Sequence, residues 1–77
     1  MRNMTALIRI TSEAERRHEP IRLIYQCDVD RHGKIFEEWQ VYLIKRNKII
    51  TARESAEALL PLLRQAFSTI EAADTHD

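Results

Sequence analysis

A single cysteine in 77 residues, Cys27, excludes an internal disulfide, and no cysteine and histidine spacing suits a structural zinc site. A single glycine, Gly33, leaves no loop that could cradle a phosphate with several backbone amides. Aromatic residues make up only 6% of the chain, few for a surface that works mainly by stacking bases. Nowhere do about 18 apolar residues follow one another as a membrane span requires, and the apolar run in MRNMTALIRI is too short for a signal peptide. The expectation is a cytoplasmic protein with no membrane partner.

Net charge is also missing, but only in the sum. Twelve Lys and Arg balance twelve Asp and Glu, yet residues 1–53 carry a net +4 and residues 54–77 a net −4. The first part is therefore suited to approach a polyanion although the whole is neutral. This length accommodates one domain, residues 1–77, whose core buries about 60 to 65% of the surface exposed by the unfolded chain. Such a core supplies about 3 to 5 kcal/mol unless something reinforces it. With disulfide and zinc set aside, self-association is the reinforcement that remains.

What is present is alternation. Ile21, Leu23, Tyr25, Cys27 and Val29 interleave with Arg22, Ile24, Gln26 and Asp28, the period-two pattern of a strand. After Gly33 the alternation resumes, with Ile35, Trp39, Val41 and Leu43 on one side, interrupted only by Glu37, and Phe36, Glu38, Gln40, Tyr42 and Ile44 on the other. Between the runs lies DVDRHGKIFEEW, Asp28 to Trp39, which opens like a calcium loop with acids at its first and third places and glycine at its sixth. Its fifth and twelfth places hold His32 and Trp39, where such a loop needs an oxygen donor and a bidentate glutamate between two helices. A hairpin fits better. A three-residue loop of Arg31, His32 and Gly33, closed by Gly33 in the left-handed conformation, sets Asp30 against Lys34, Tyr25 against Trp39, Leu23 against Val41 and Ile21 against Leu43. A shift of one residue would put the apolar sets on opposite faces, so the pattern selects this register.

Upstream, TALIRIT alternates Ala6, Ile8 and Ile10 against Leu7, Arg9 and Thr11 and predicts another strand, followed by a polar loop, SEAERRHE, in which Ser12 and Glu15 cap at most one helical turn. Downstream, a turn at Arg46 and Asn47 leads into a short strand, Lys48 to Ile50. Thr51 and Glu54 then form a capping box, and Ala52, Ala56, Leu59, Leu63, Ala66, Phe67 and Ile70 mark one apolar helical face. Pro61 points away from that face, which favours one long bent helix over two helices that break at Leu60. Residues 72–77 read as a frayed tail. The expected fold is α+β: an antiparallel sheet of three or four strands with one long, Pro-kinked C-terminal helix packed on one face.

No residue is assigned a catalytic, cofactor or metal role. Cys27 falls on the inward side of its strand, where a thiol serves as a small hydrophobe. His18, His32 and His76 lie in polar stretches without a nucleophile placed to use them. Glu37 and Glu38 point to opposite faces and cannot act on one atom. The informative feature is the outer sheet face, where Arg22, Ile24, Phe36, Gln40, Tyr42 and Ile44 stand with Gln26 and Glu38. Apolar groups on a face open to water mark a contact surface. The expected function is a small non-enzymatic, homodimeric adaptor, inhibitor or regulator that binds a protein partner through that face. The alternative is a single-stranded nucleic-acid-binding regulator that uses Arg22 and Tyr42 with Lys45, Arg46, Lys48 and Arg53.

The run KIITARESAEALL, Lys48 to Leu60, resembles the strand-to-helix junction of the positive-cofactor-four family of single-stranded DNA-binding coactivators through Ile50, Thr51, Glu54 and Leu59. That family consists of dimers of a curved antiparallel sheet followed by one helix. Its glycine before the isoleucine is replaced here by Ile49. Strands followed by a helix are similar to double-stranded RNA-binding domains too, whose helix opens with phosphate-contacting lysines. ARESAE offers Arg53 and then acids. Neither resemblance amounts to an identification.

If DVDRHGKIFEEW is a turn rather than a calcium loop, titration with calcium leaves Trp39 fluorescence unchanged. A saturable micromolar response would overturn that reading.

Overall fold

The computed structural model describes residues 2–74. Its elements are α1 (Arg2–Arg16), β1 (Ile21–Val29), β2 (Ile35–Leu43), β3 (Lys48–Ala52), a 3-10 turn (Ala56–Ala58) and α2 (Leu59–Asp74). The strands form one antiparallel sheet in the order β1-β2-β3. This is the expected α+β architecture with three strands, the long C-terminal helix and one further helix.

The hairpin has the register that the alternation demands, with Tyr25 opposite Trp39, Leu23 opposite Val41 and Ile21 opposite Leu43. At its end the Asp30 N–H donates to the Lys34 carbonyl at 2.9 Å, and the Gly33 N–H donates to the Asp30 carbonyl at 3.0 Å. Gly33 takes φ of 80°. The Asp30 carboxylate accepts the backbone N–H groups of both His32 and Lys34, so the calcium-like acid serves the turn. Asn47, at φ 52°, turns the chain from β2 into β3. Asparagine tolerates this region because its short polar side chain bonds locally.

The first helix corrects the expected N-terminal strand. Ala6, Ile10 and Ala14 are buried at intervals of four, and Ile8, which the strand pattern placed with them, is 58% exposed. The expected SEAERRHE loop is the last part of this helix, and Thr11 returns its hydroxyl to the carbonyls of Leu7 and Ile8 instead of breaking the turn. Alanine at position 6 leaves room for the 3-10 turn beside the first half of α1, and Ala56 of that turn is fully buried. Asn3 Oδ1 accepts the Ala56 N–H at 3.2 Å and ties the two together.

The helix ends in a Schellman motif. The Glu19 N–H donates to the Ala14 carbonyl and the His18 N–H to the Glu15 carbonyl, with His18 in the left-handed conformation at φ 56°.

The second helix starts later than the capping box implied. Ala52 is buried and paired with Trp39, so β3 keeps the chain extended through Thr51 and Ala52. The chain then bends, passes through the 3-10 turn and enters α2 at Leu59. Pro61 therefore stands in the first turn of α2, where its missing N–H has no helical partner to lose. The expected kink has no cause there. The apolar stripe itself is as expected, with Leu59, Leu63, Ala66 and Phe67 buried and Ile70 packed beside them. The tail expected from residue 72 is helical to Asp74, and residues 75–77, His76 among them, lie outside the described residues.

Both helices pack on the same side of the sheet. Ile10 and Ala14 of α1 join Leu63 and Phe67 of α2 against Val41 and Leu43 of the middle strand and Ile50 of β3. Glu13, buried on α1, bonds Arg16 at 2.8 Å and approaches Arg17 at 3.5 Å and Arg64 of α2 at 3.9 Å. Arg17 pairs with Glu71 and lies 4.9 Å over the Phe67 ring. This network fastens the end of α1 to α2.

Of the three left-handed residues, His18 and Gly33 respond oppositely to substitution. His18→Gly is expected to raise stability by about 1 kcal/mol, since glycine has no Cβ to strain there. Gly33→Ala is expected to lower it by a similar amount, because φ rather than crowding is the obstacle: an added Cβ would meet nothing within 4 Å. Urea melts of the two variants check both signs.

Candidate functional site

With both helices on one side, the other side of the sheet is covered by no described element. Its rows follow from the ladders. Arg22 stands opposite Tyr42, and Tyr42 opposite Ile49 on β3. The next row is Ile24, Gln40 and Thr51. Ile24 and Tyr42 are half-buried by their neighbours, whereas Ile49 and Ile44 are exposed. Ile44 follows the last residue of β2 and donates its N–H to the Pro20 carbonyl, which carries the ladder one rung further.

Of the residues expected on this face, the fold brings Arg22, Ile24, Gln40, Tyr42 and Ile44 together. Phe36 is on the same face, opposite Asp28 and 45% exposed, but six residues from Tyr42 along β2, about 20 Å at strand spacing. It marks a separate spot near the hairpin tip. Ile49, 57% exposed, is the residue that sequence reasoning missed. Its signal was available, since Ile50 turned inward obliges Ile49 to turn outward.

The side chains are held in place. The Tyr42 hydroxyl donates to Asn47 Oδ1 at 2.8 Å, so the β2–β3 turn fixes the ring over the face. Gln40 Nε2 donates to Glu38 Oε1 at 3.0 Å. The basic residues of the alternative reading are distributed differently. Lys45 Nζ donates to the His18 carbonyl, and Arg46 pairs with Glu19 at 3.0 Å. Lys48 is opposite Leu43, on the helix side of the sheet. Arg53 follows the far end of β3, about 13 Å or more from Lys48. Only Arg22 and Tyr42 of that set are adjacent on the open face.

A second feature lies beyond the core. β3 reaches only as far as Trp39, so the rungs from Gln26–Glu38 to Val29–Ile35 form a two-stranded arm. The radius of gyration, 14.0 Å, exceeds the roughly 11.5 Å of a compact chain this long, and the longest dimension is 51 Å. Val29 and Ile35 are 64% and 65% exposed, on the side where the helices lie over the rest of the sheet. Cys27 is exposed as well, which corrects its expected burial: it points to the helix side, but the helices do not extend over it.

At the base of the arm, the Tyr25 ring is tilted against Trp39 with centroids 4.5 Å apart, and its hydroxyl donates to Glu37 Oε1 at 3.1 Å. The neighbouring Cys27 thiol, then partial burial and the hydrogen bond to Glu37, push the Tyr25 phenol up to about 12. A phenol and a carboxylate are not the cationic neighbours that make a thiol reactive. A cleft of about 460 Å³ opens between the end of β3 and the start of α2, lined by Ala52, Ala58, Pro61 and Leu62 with Arg53 and Glu54. Thr51 of the open-face row also lines it, so the cleft adjoins the end of that face. Among the described residues no three of His, Cys, Asp and Glu converge as a metal site would need, and no helix is long and apolar enough to cross a membrane.

Comparison of the chain with protein-family models, with curated proteins and with solved structures finds no match.

Because the folded-state value lies above the ordinary one, the stability contributed by the Tyr25 phenol is present in full below pH 10 and is lost as pH rises towards 12. Cys27→Ala is expected to bring its titration back towards 10 further than Glu37→Gln does, as followed by tyrosinate absorbance. Equal shifts, or none, would show that the phenol is not held in this way.

Proposed function

We propose that this chain is a small homodimeric interaction module without enzymatic activity, which recognises a protein partner through the open face of its sheet. The observation that carries this reading is the one-sidedness of the core. Both helices lie over the same side, while Ile24, Tyr42, Ile44 and Ile49 stand on the other among Arg22 and Gln40. A sheet face of this composition left to water is costly to solubility, and on a stable protein it signifies contact. The mixture also suits recognition: an aromatic anchor held by Asn47, aliphatic groups around it, and an arginine and an amide to set orientation.

The neighbouring Arg22 and Tyr42 favour the second reading, a single strand of nucleic acid stacked on the sheet. Against it, Lys45 and Arg46 are engaged with His18 and Glu19, Lys48 lies on the helix side of the sheet, and Arg53 stands beyond the end of β3.

The test compares baits. The wild-type domain is expected to capture a discrete partner from its native cell extract, Ile24→Glu and Tyr42→Glu to lose it, and Ile8→Glu, on the exposed side of α1, to retain it. Thermal melts establish that the variants are folded. Loss with Ile8→Glu, or capture unchanged by both face variants, would overturn the reading. Affinity for a single-stranded oligonucleotide that falls steeply with salt would favour the nucleic-acid alternative.

A further inference from the structure

We infer that two copies of this chain join through their β1 strands, paired antiparallel about a two-fold axis at Tyr25. This rests on the homodimeric reading above and supplies its interface and register. β1 is an edge of the sheet. It is nine residues long, contains neither proline nor lysine, and among the described residues has no strand paired along its outer side. Such an edge is a template for another strand unless it is blocked. β3, the other edge, is five residues long and begins with Lys48, one of the devices that blunt an edge.

The polarity of the edge follows from the hairpin. Bonds from β2 meet Pro20 at one end of the ladder and Asp30 at the other. Bonded rungs alternate in an antiparallel pair, so even-numbered residues of β1 bond to β2 and odd-numbered ones face outward. Tyr25 is the middle residue of Ile21–Val29. A two-fold axis there sets outward-facing residues against one another over all nine positions, for roughly ten backbone hydrogen bonds. Any register shifted by an odd number would oppose an outward group with an inward one.

The side chains agree with this register. On the helix side, Ile21 meets the partner's Val29 and Leu23 meets the partner's Cys27, while the two Tyr25 residues meet each other. On the open side, Ile24 meets the partner's Gln26, and Arg22 meets the partner's Asp28, twice by symmetry. The even-numbered pairs are the close, non-hydrogen-bonded ones, which suits the two ion pairs. Moving the axis to Gln26 would set Ile24 against the partner's Asp28 and shorten the overlap. The axis at Tyr25 also accounts for the arm. Both helix layers stay on one side of the joined sheet, and the exposed Val29 comes to lie at the margin of the partner's helix layer. The two open faces then become one continuous surface.

Sedimentation equilibrium over a wide concentration range tests the pairing. A dimer is expected. Asp28→Arg should weaken it about tenfold, since it places like charges opposite one another twice, and Arg22→Asp combined with Asp28→Arg should restore it. Cys27→Pro should abolish it while leaving the β1–β2 ladder intact, because the Cys27 N–H faces outward. Leu23→Cys should give a disulfide-linked dimer on mild oxidation, with the new thiol facing the partner's Cys27 across a rung of about 5.5 Å. Leu23→Ser should not.

A monomer at every concentration would overturn both this pairing and the homodimeric reading. A dimer unaffected by Cys27→Pro would leave that reading standing and remove the β1 edge as its interface. A dimer sensitive to Cys27→Pro in which the double charge reversal rescues nothing, and Leu23→Cys does not crosslink, would overturn the register at Tyr25. Circular dichroism confirms that each variant is folded, and the charge exchange tests the register even if Cys27→Pro is not.

Discussion

Val41 and Leu43, fully buried on the middle strand, are the place where the three strands and both helices meet. β1 pairs with them on one side and β3 on the other, while Ile10 of α1 and Leu63 and Phe67 of α2 close over them. Alternation obliges their neighbours Gln40 and Tyr42 to turn the opposite way. A core gathered on one side of a three-stranded sheet therefore produces its exposed counterpart by geometry, and each helix added to the core leaves the other face as it was. The buried side is what holds the domain together; the open side is what remains available for contact.

The clasp between the helices is of a different kind. Glu13 is buried yet touches three arginines, and Arg17 divides its guanidinium between a carboxylate of α2 and the Phe67 ring. Burying such a group is costly unless its partners are in place. The arrangement thus specifies where α1 ends relative to α2 more than it adds to stability. That end point in turn places His18 and Glu19, which receive Lys45 and Arg46 from the turn between β2 and β3. Packing of the helices is in this way linked to the turn whose Asn47 holds Tyr42.

The parts legible in the sequence were those where a single period had no rival. Ile21 to Leu43 alternates around one glycine with only Glu37 out of place on the apolar side, and both the register and the left-handed Gly33 follow from it. The stripe of α2 is equally unambiguous. The N-terminal segment is not, because Ala6 and Ile10 satisfy period two and a spacing of four alike. Ile8 decides between them, and only its exposure reveals the answer. The start of α2 was misplaced for a related reason: Thr51 and Glu54 have the spacing of a cap, but pairing of Ala52 with Trp39 outweighs a local preference worth about 1 kcal/mol. On the open face, five of the six expected residues gather, and Phe36 does not because a strand outlasts the surface it crosses. The exposure of Cys27 was hidden from sequence for the same reason, since alternation tells direction but not how far a covering helix extends.

The unequal lengths of the strands divide the molecule into two levels of order. Rungs between Tyr25 and the tip have a partner strand on one side only, and their side chains contribute little to the core. Isolated two-stranded ribbons are marginal in water. In an unpaired protomer the tip can therefore open and close many times while Val41 and Leu43 stay dry, so amide exchange there should fall into a fast distal class and a slow proximal class divided near Trp39.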